Sequence, residues 1–152
     1  MSFARLACLV VVVGGQGLAY PAAAEAEPPV FSTRAGAIRG YDAVAYFTEK
    51  KPVKGDKRFL FRWRDADWSF ASADNLERFR EDPDRYAPQF GGYCAYGMSK
   101  GSYGSTDPNA WTIHEGKLYL NYSTGVRETW GKDIDRNIKR AEDHWRRLQP
   151  DL

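Results

Sequence analysis

FLFRWRDADWSFASADNLERFREDPDRY, residues 59 to 86, changes its period once. Up to Phe70 aromatic residues alternate with polar ones: Phe59, Phe61 and Trp63 precede the turn Arg64-Asp65-Ala66-Asp67, and Trp68 and Phe70 follow it. Period-two alternation on both sides of a short polar turn predicts a hairpin with one buried face. From Ser72 the spacing becomes helical. Ser72 is a good N-cap, Leu76 and Phe79 fall on one face, and Asp82-Pro83 stops the run. The local order is strand, strand, helix.

The same two signals recur downstream. In WTIHEGKLYLNY, residues 111 to 122, Glu115-Gly116 fits a two-residue turn that sets Ile113 opposite Leu118 and Trp111 opposite Leu120. His114 and Lys117 then pair on the wetter face. Ser123 or Thr124 caps a final helical segment whose apolar residues Val126, Trp130, Ile134, Ile138, Ala141, Trp145 and Leu148 recur at spacings of three or four. Gly131 interrupts it and Asp133 can recap it, which predicts a kink or two helices. The fold class expected is α+β: a small antiparallel sheet of two hairpins, helices packed on one face, and a C-terminal amphipathic helix.

Upstream, a single charge at Arg5, the apolar run LACLVVVV and the small-residue stretch PAAAEA follow the order of a cleavable secretory signal over residues 1–24. Cys8 is not a lipobox cysteine, because the apolar run follows it. Residues 25–37, EAEPPVFSTRAGA, are polar and proline-bearing and read as a flexible tether, with the domain over 38–148. No later stretch reaches the ~18 apolar residues of a membrane span. The chain is expected to be periplasmic or secreted. Taking residues 1–24 from the 152 leaves 128, and loss of Arg5 leaves 21 basic residues against 20 acidic ones. That balance, with both signs interspersed, offers no basic stripe for nucleic acid. A chain of that length buries enough surface to fold as one domain without a disulfide or a metal.

Loss of the leader also removes Cys8. Cys94 and Met98, in GGYCAYGMSKG (91–101), are then the only sulfur atoms. An unpaired thiol in an oxidising compartment is a buried inert group, a reactive one, an intermolecular bridge or a metal ligand. The glycines mimic a phosphate loop, Gly92-x-x-x-x-Gly97-Met98-Ser99, but Met98 stands where the lysine is required and no apolar strand precedes it, so nucleotide binding is rejected. If residues 93–99 form a helical turn, Cys94 and Met98 share a face at i and i+4. Thiolate plus thioether suits Cu(I), with Tyr93 and Tyr96 lining the pocket. Met98 is equally a gap-filling core residue. Lys100 is placed to lower the thiol pKa if its ammonium approaches the sulfur. His114 and His144 complete a blue-copper inventory in kind, but their predicted positions do not converge on Cys94, and each reads as a surface histidine. Asp42 and Asp107 show no paired-carboxylate spacing distinct from ordinary solvated faces.

Three separated stretches, GYDAVAYF (40–47), DADWSFASADNLERFREDPDRYAPQFGGYCAYG (65–97) and LYLNYSTGVRETW (118–130), occur in the order that resembles the exported YHS-domain proteins, including the branch with selenocysteine-containing members. The resemblance covers residues 38–148. In YHS domains attached to heavy-metal-transporting ATPases, the pattern is D-P-V-C-G-M, then Y-F-C-S-x-x-C, then F-x-x-D-P-x-x-Y. Its tail is matched here by Phe79, Asp82, Pro83 and Tyr86, whereas its three cysteines fall at Ala45, Ala71 and Asn75. Alanine offers no ligand atom, so that metal role does not transfer. The resemblance implies an exported binding protein, with copper at Cys94 as the leading expectation. A reactive thiol acting with an exported partner protein, or a non-catalytic interaction module, are the alternatives.

Overall fold

Both hairpins form in the computed structural model, which describes residues 27–152; the expected signal segment, residues 1–24, lies outside them. Strand β3 (Asp56–Trp63) pairs antiparallel with β4 (Ala66–Phe70), setting Phe61 opposite Trp68 and Trp63 opposite Ala66. The turn is tighter than the four residues expected. Arg64 and Asp65 alone make it, both with positive φ (47° and 58°), the two-residue geometry that matches the right-handed twist of the strands. Strands β5 (Asp107–His114) and β6 (Lys117–Asn121) take the expected register, Ile113 to Leu118, Trp111 to Leu120 and His114 to Lys117, around Glu115-Gly116.

The hairpins do not join into one sheet. Each is its own two-stranded ribbon, and a third, minimal ribbon pairs β1 (Ser32–Thr33) with β2 (Gly36–Ala37). That third ribbon corrects the reading of the 25–37 stretch as a flexible tether over its described part, residues 27–37. Val30 is buried, Ala37 is buried, and the Phe31 amide donates to Gly91 O at 2.9 Å, so the domain begins some eight residues before Ile38. A proline-bearing stretch looks like a linker by composition, but one buried valine and one long-range amide bond suffice to dock it.

Helix α1 (Ala45–Thr48) is a single turn. Helix α2 (Ala73–Glu81) is capped by Ser72, whose hydroxyl accepts the Asn75 amide at 3.2 Å, and α3 (Pro83–Tyr86) starts on proline under an Asp82 cap. A further turn, α4 (Ala95–Met98), precedes β5. The C-terminal stripe divides where Gly131 and Asp133 predicted, into α5 (Thr124–Gly131) and α6 (Ile134–Leu148). Buried Asn137 secures the break by donating to Trp130 O at 2.8 Å.

Two apolar clusters result. The first gathers Val44, Tyr46, Trp68, Phe70, Phe79, Leu118 and Leu120; the second gathers Phe90, Tyr93, Met98, Tyr119, Trp130 and Ala141. Strand β6 belongs to both, because its alternation sends Leu118 and Leu120 one way and Tyr119 the other. The face expected to be wet is wet only at the turn, where Lys117 is exposed; at Tyr119 and Asn121 it is buried. Among the described residues, no helix is long and apolar enough to cross a membrane.

Burial holds several phenols protonated. Tyr93 and Tyr119 are each pushed up from 10.0 to about 12, chiefly by burial, with Glu27 adding to the first and Glu142 to the second; Tyr46 is raised further. Above the ordinary phenol pKa the unfolded chain loses protons that the folded chain retains, so stability present below pH 10 falls as pH rises towards 12. Thermal melts across that range should show Tm dropping steeply, with phenolate absorbance appearing together with unfolding. Full phenolate absorbance from a still-folded protein at its lower edge would contradict this burial.

Candidate functional site

Two polar nodes lie inside the apolar frame. The first is Asp42, fully buried and three positions before Ala45, the first residue of α1. Its Oδ1 accepts the amides of Val44 (2.8 Å) and Ala45 (3.2 Å), and its Oδ2 accepts the amide of Ala71 (2.8 Å) and Nδ2 of Asn75 (2.7 Å). Four donors from α1, the end of β4 and α2 thus meet on one carboxylate. This corrects the reading of Asp42 as part of a solvated face. The signal was present, because an aspartate just ahead of a short apolar helix is an Asx-type cap. Its long-range donors carry no local pattern.

The second node is Cys94. It is 4% exposed and stands at the N-cap of α4. Its Sγ accepts the Gly97 amide at 3.4 Å and donates to Asn121 Oδ1 at 3.7 Å. Asn121 Oδ1 also accepts the Tyr96 amide at 3.1 Å, which fixes the carboxamide orientation and leaves Nδ2 without a partner. The Cys94 amide donates to Gly104 O at 2.9 Å, and a Cβ placed on Gly104 would lie 3.2 Å from Cys94 Cβ. The 103–105 segment lies directly over the cysteine because Gly104 has no side chain. Asn121 was not anticipated as a partner; its place at the end of β6, past the last paired leucine, was the only hint.

The expected pocket residues are adjacent in sequence and differ in setting. Met98 shares the helical turn, its amide donating to Cys94 O at 2.8 Å, and is fully buried in the cluster with Tyr119 and Trp130. Tyr93 is buried, donating its hydroxyl to Pro28 O at 2.9 Å and packing its ring 4.8 Å from that of Tyr103. With Phe31 and Gly104 these rings line a surface recess of about 320 Å³, and Cys94 lies behind it. Tyr96 is half-buried, with the Lys100 ammonium 4.9 Å from its ring centroid, so that cation faces a π-system. His114 Nε2 sits 3.0 Å from Asp135 Oδ1, and His144 Nδ1 sits 3.0 Å from Arg147 while its ring packs on Gly101. Both histidines are half-buried and engaged at α6. Among the described residues no three His, Cys, Asp or Glu side chains converge as a metal-ligand group.

Comparison of the chain with protein families, with curated proteins and with solved structures finds no match.

Proposed function

We propose that this is an exported binding protein of the YHS type that holds its ligand without covalent chemistry and uses Cys94 as a packed helix cap. One observation carries the reading: the Cys94 sulfur is 4% exposed, and it both donates to Asn121 and accepts from Gly97. A thiol so occupied has little reach towards an outside electrophile. The meeting of Ala45, Ala71 and Asn75 on Asp42 supports the YHS resemblance, since positions separated in sequence gather where the pattern gathers its thiols. Only at Asn75 does a side-chain donor stand in the place of a thiol; the Ala45 and Ala71 donors are backbone amides. Export rests on the apolar leader and small-residue site in residues 1–26.

A second reading, soft-metal binding by Cys94 and Met98, is supported by their sharing one turn of α4. One experiment separates the two. Competition titration with Cu(I) is run on the wild-type chain and on Cys94→Ala, alongside alkylation of the folded wild type. The packed-cap reading expects identical weak copper uptake, labelling only on unfolding, and a loss of about 1–2 kcal/mol in Cys94→Ala from the missing cap. Tight stoichiometric binding lost in the variant would establish the metal reading instead, and rapid labelling of folded protein would establish a reactive thiol.

A further inference from the structure

At the seam between the two apolar clusters lies a recess of about 320 Å³ bordered by Trp63, Arg64, Asp84, Phe90, Lys117 and Trp145. Trp63 packs with the first cluster, Phe90 and Trp145 with the second. The geometry points to this recess as a binding site for a small aromatic carboxylate. This deepens the reading of the chain as a non-covalent binding protein and rests on it.

Three observations define the ligand. Two half-buried indoles, Trp63 and Trp145, border a recess whose remaining accessible lining is largely polar, and the Phe90 ring lies 6.2 Å from that of Trp145. Indole surface set among polar groups favours a planar guest that carries its own polar group. The rim is cationic in excess. Arg64 pairs with Asp84 at 3.2 Å, while Lys117 makes no ion pair among the described residues, leaving one positive charge for a bound anion. Arg64 also lies 4.3 Å from the Trp63 ring centroid, so a guest on that side meets the guanidinium rather than the open indole face, which favours an anion over a cation. The volume sits at the small end of ligand sites, suited to a compact molecule rather than a peptide or dinucleotide.

The floor is pre-formed at a conformational cost. Phe90, Gly91 and Gly92 have φ of 55°, 61° and 80°, a left-handed run that a bulky residue such as Phe90 rarely enters. Such backbone persists only where its surroundings over-determine it, and it clusters at ligand sites. Here Gly91 O is tied to the Phe31 amide and Phe90 O to the Tyr93 amide, at 2.9 and 3.0 Å. The docked N-terminal segment therefore holds the floor in place before a ligand arrives.

The test is a titration of the full mature chain with 2-naphthoate, followed by calorimetry and by the tryptophan indole N–H resonances. Neutral 2-naphthamide is the control. The expected result is saturable naphthoate binding that shifts the Trp63 and Trp145 signals. The amide, and the Arg64→Gln/Lys117→Gln double variant with naphthoate, should each be weaker by about tenfold or more. Both substituted residues are exposed, so the fold is expected to survive. No saturation in the millimolar range, equal binding of acid and amide, or shifts confined to Trp111 and Trp130 would each overturn the site. Cys94 does not border this recess, so a folded Cys94→Ser variant should bind naphthoate as the wild type does. Binding lost there would overturn the recess, whereas rapid alkylation of the folded wild type would overturn the packed-cap reading alone.

Discussion

Asp42→Ala is expected to leave the protein largely unfolded at room temperature, or nearly so. The substitution strands the amides of Val44, Ala45 and Ala71 and the Asn75 carboxamide, four donors in a position with no solvent exposure. Each buried donor left unpaired costs about 1–3 kcal/mol, and allowing for non-additivity the total is about 4–6 kcal/mol. That matches the whole stability of a domain at the low end of the usual range, about 5 kcal/mol. Asp42→Asn should fall between, because its shape is kept but its new NH₂ group must face one of the existing donor pairs. Urea unfolding followed by circular dichroism measures all three proteins. A loss of no more than about 1 kcal/mol in Asp42→Ala would mean that water replaces the carboxylate and that the node is not closed.

Gly91→Ala is expected to be the most damaging of the glycine substitutions at the floor of the recess. A Cβ on Gly91 would sit 2.0 Å from Pro29 O, an atom of backbone, and Gly91 already has φ of 61°. The left-handed conformation costs a non-glycine residue about 1 kcal/mol, and forced repacking adds about 1–3 kcal/mol. Relief requires Pro29 to move, which would break the Phe31-to-Gly91 hydrogen bond and release residues 28–37 from the fold. The expected signature is therefore a loss of about 2–4 kcal/mol together with new proteolytic cleavage in that segment. Gly125→Ala is the control. Its Cβ meets nothing within 4 Å, and the position lies in α5, so the change should be neutral or slightly stabilising. Equal behaviour of the two variants would show that the N-terminal segment is not wedged against Gly91.

How far the sequence carried these conclusions depends on how local each determinant is. The β5–β6 register was legible because Glu115-Gly116 supplies the turn and alternating side chains supply the faces, all within a dozen residues. The C-terminal break was legible for the same reason, with glycine and aspartate marking it. The β3–β4 turn was read too long because Arg64 and Asp65, neither of them glycine, adopt left-handed backbone that sequence does not advertise. Periodicity states which face of a strand is buried but not which strand lies beside it, so one sheet was expected where three ribbons occur. The Asp42 and Cys94 nodes were the least legible. Their partners Asn75 and Asn121 are ordinary polar residues by composition, and only the folded chain brings them 33 and 27 positions across to the carboxylate and the sulfur.

Strand β6 has a consequence for how this molecule comes apart. Because Leu118 and Leu120 serve one cluster and Tyr119 the other, neither half owns a complete wall of its own. Shedding either half strips one side of a strand that the remaining half needs intact. The molecule therefore has no natural fracture plane: a partly dissolved state would expose the very segment that both halves claim, and the chain is bound to melt as a single unit.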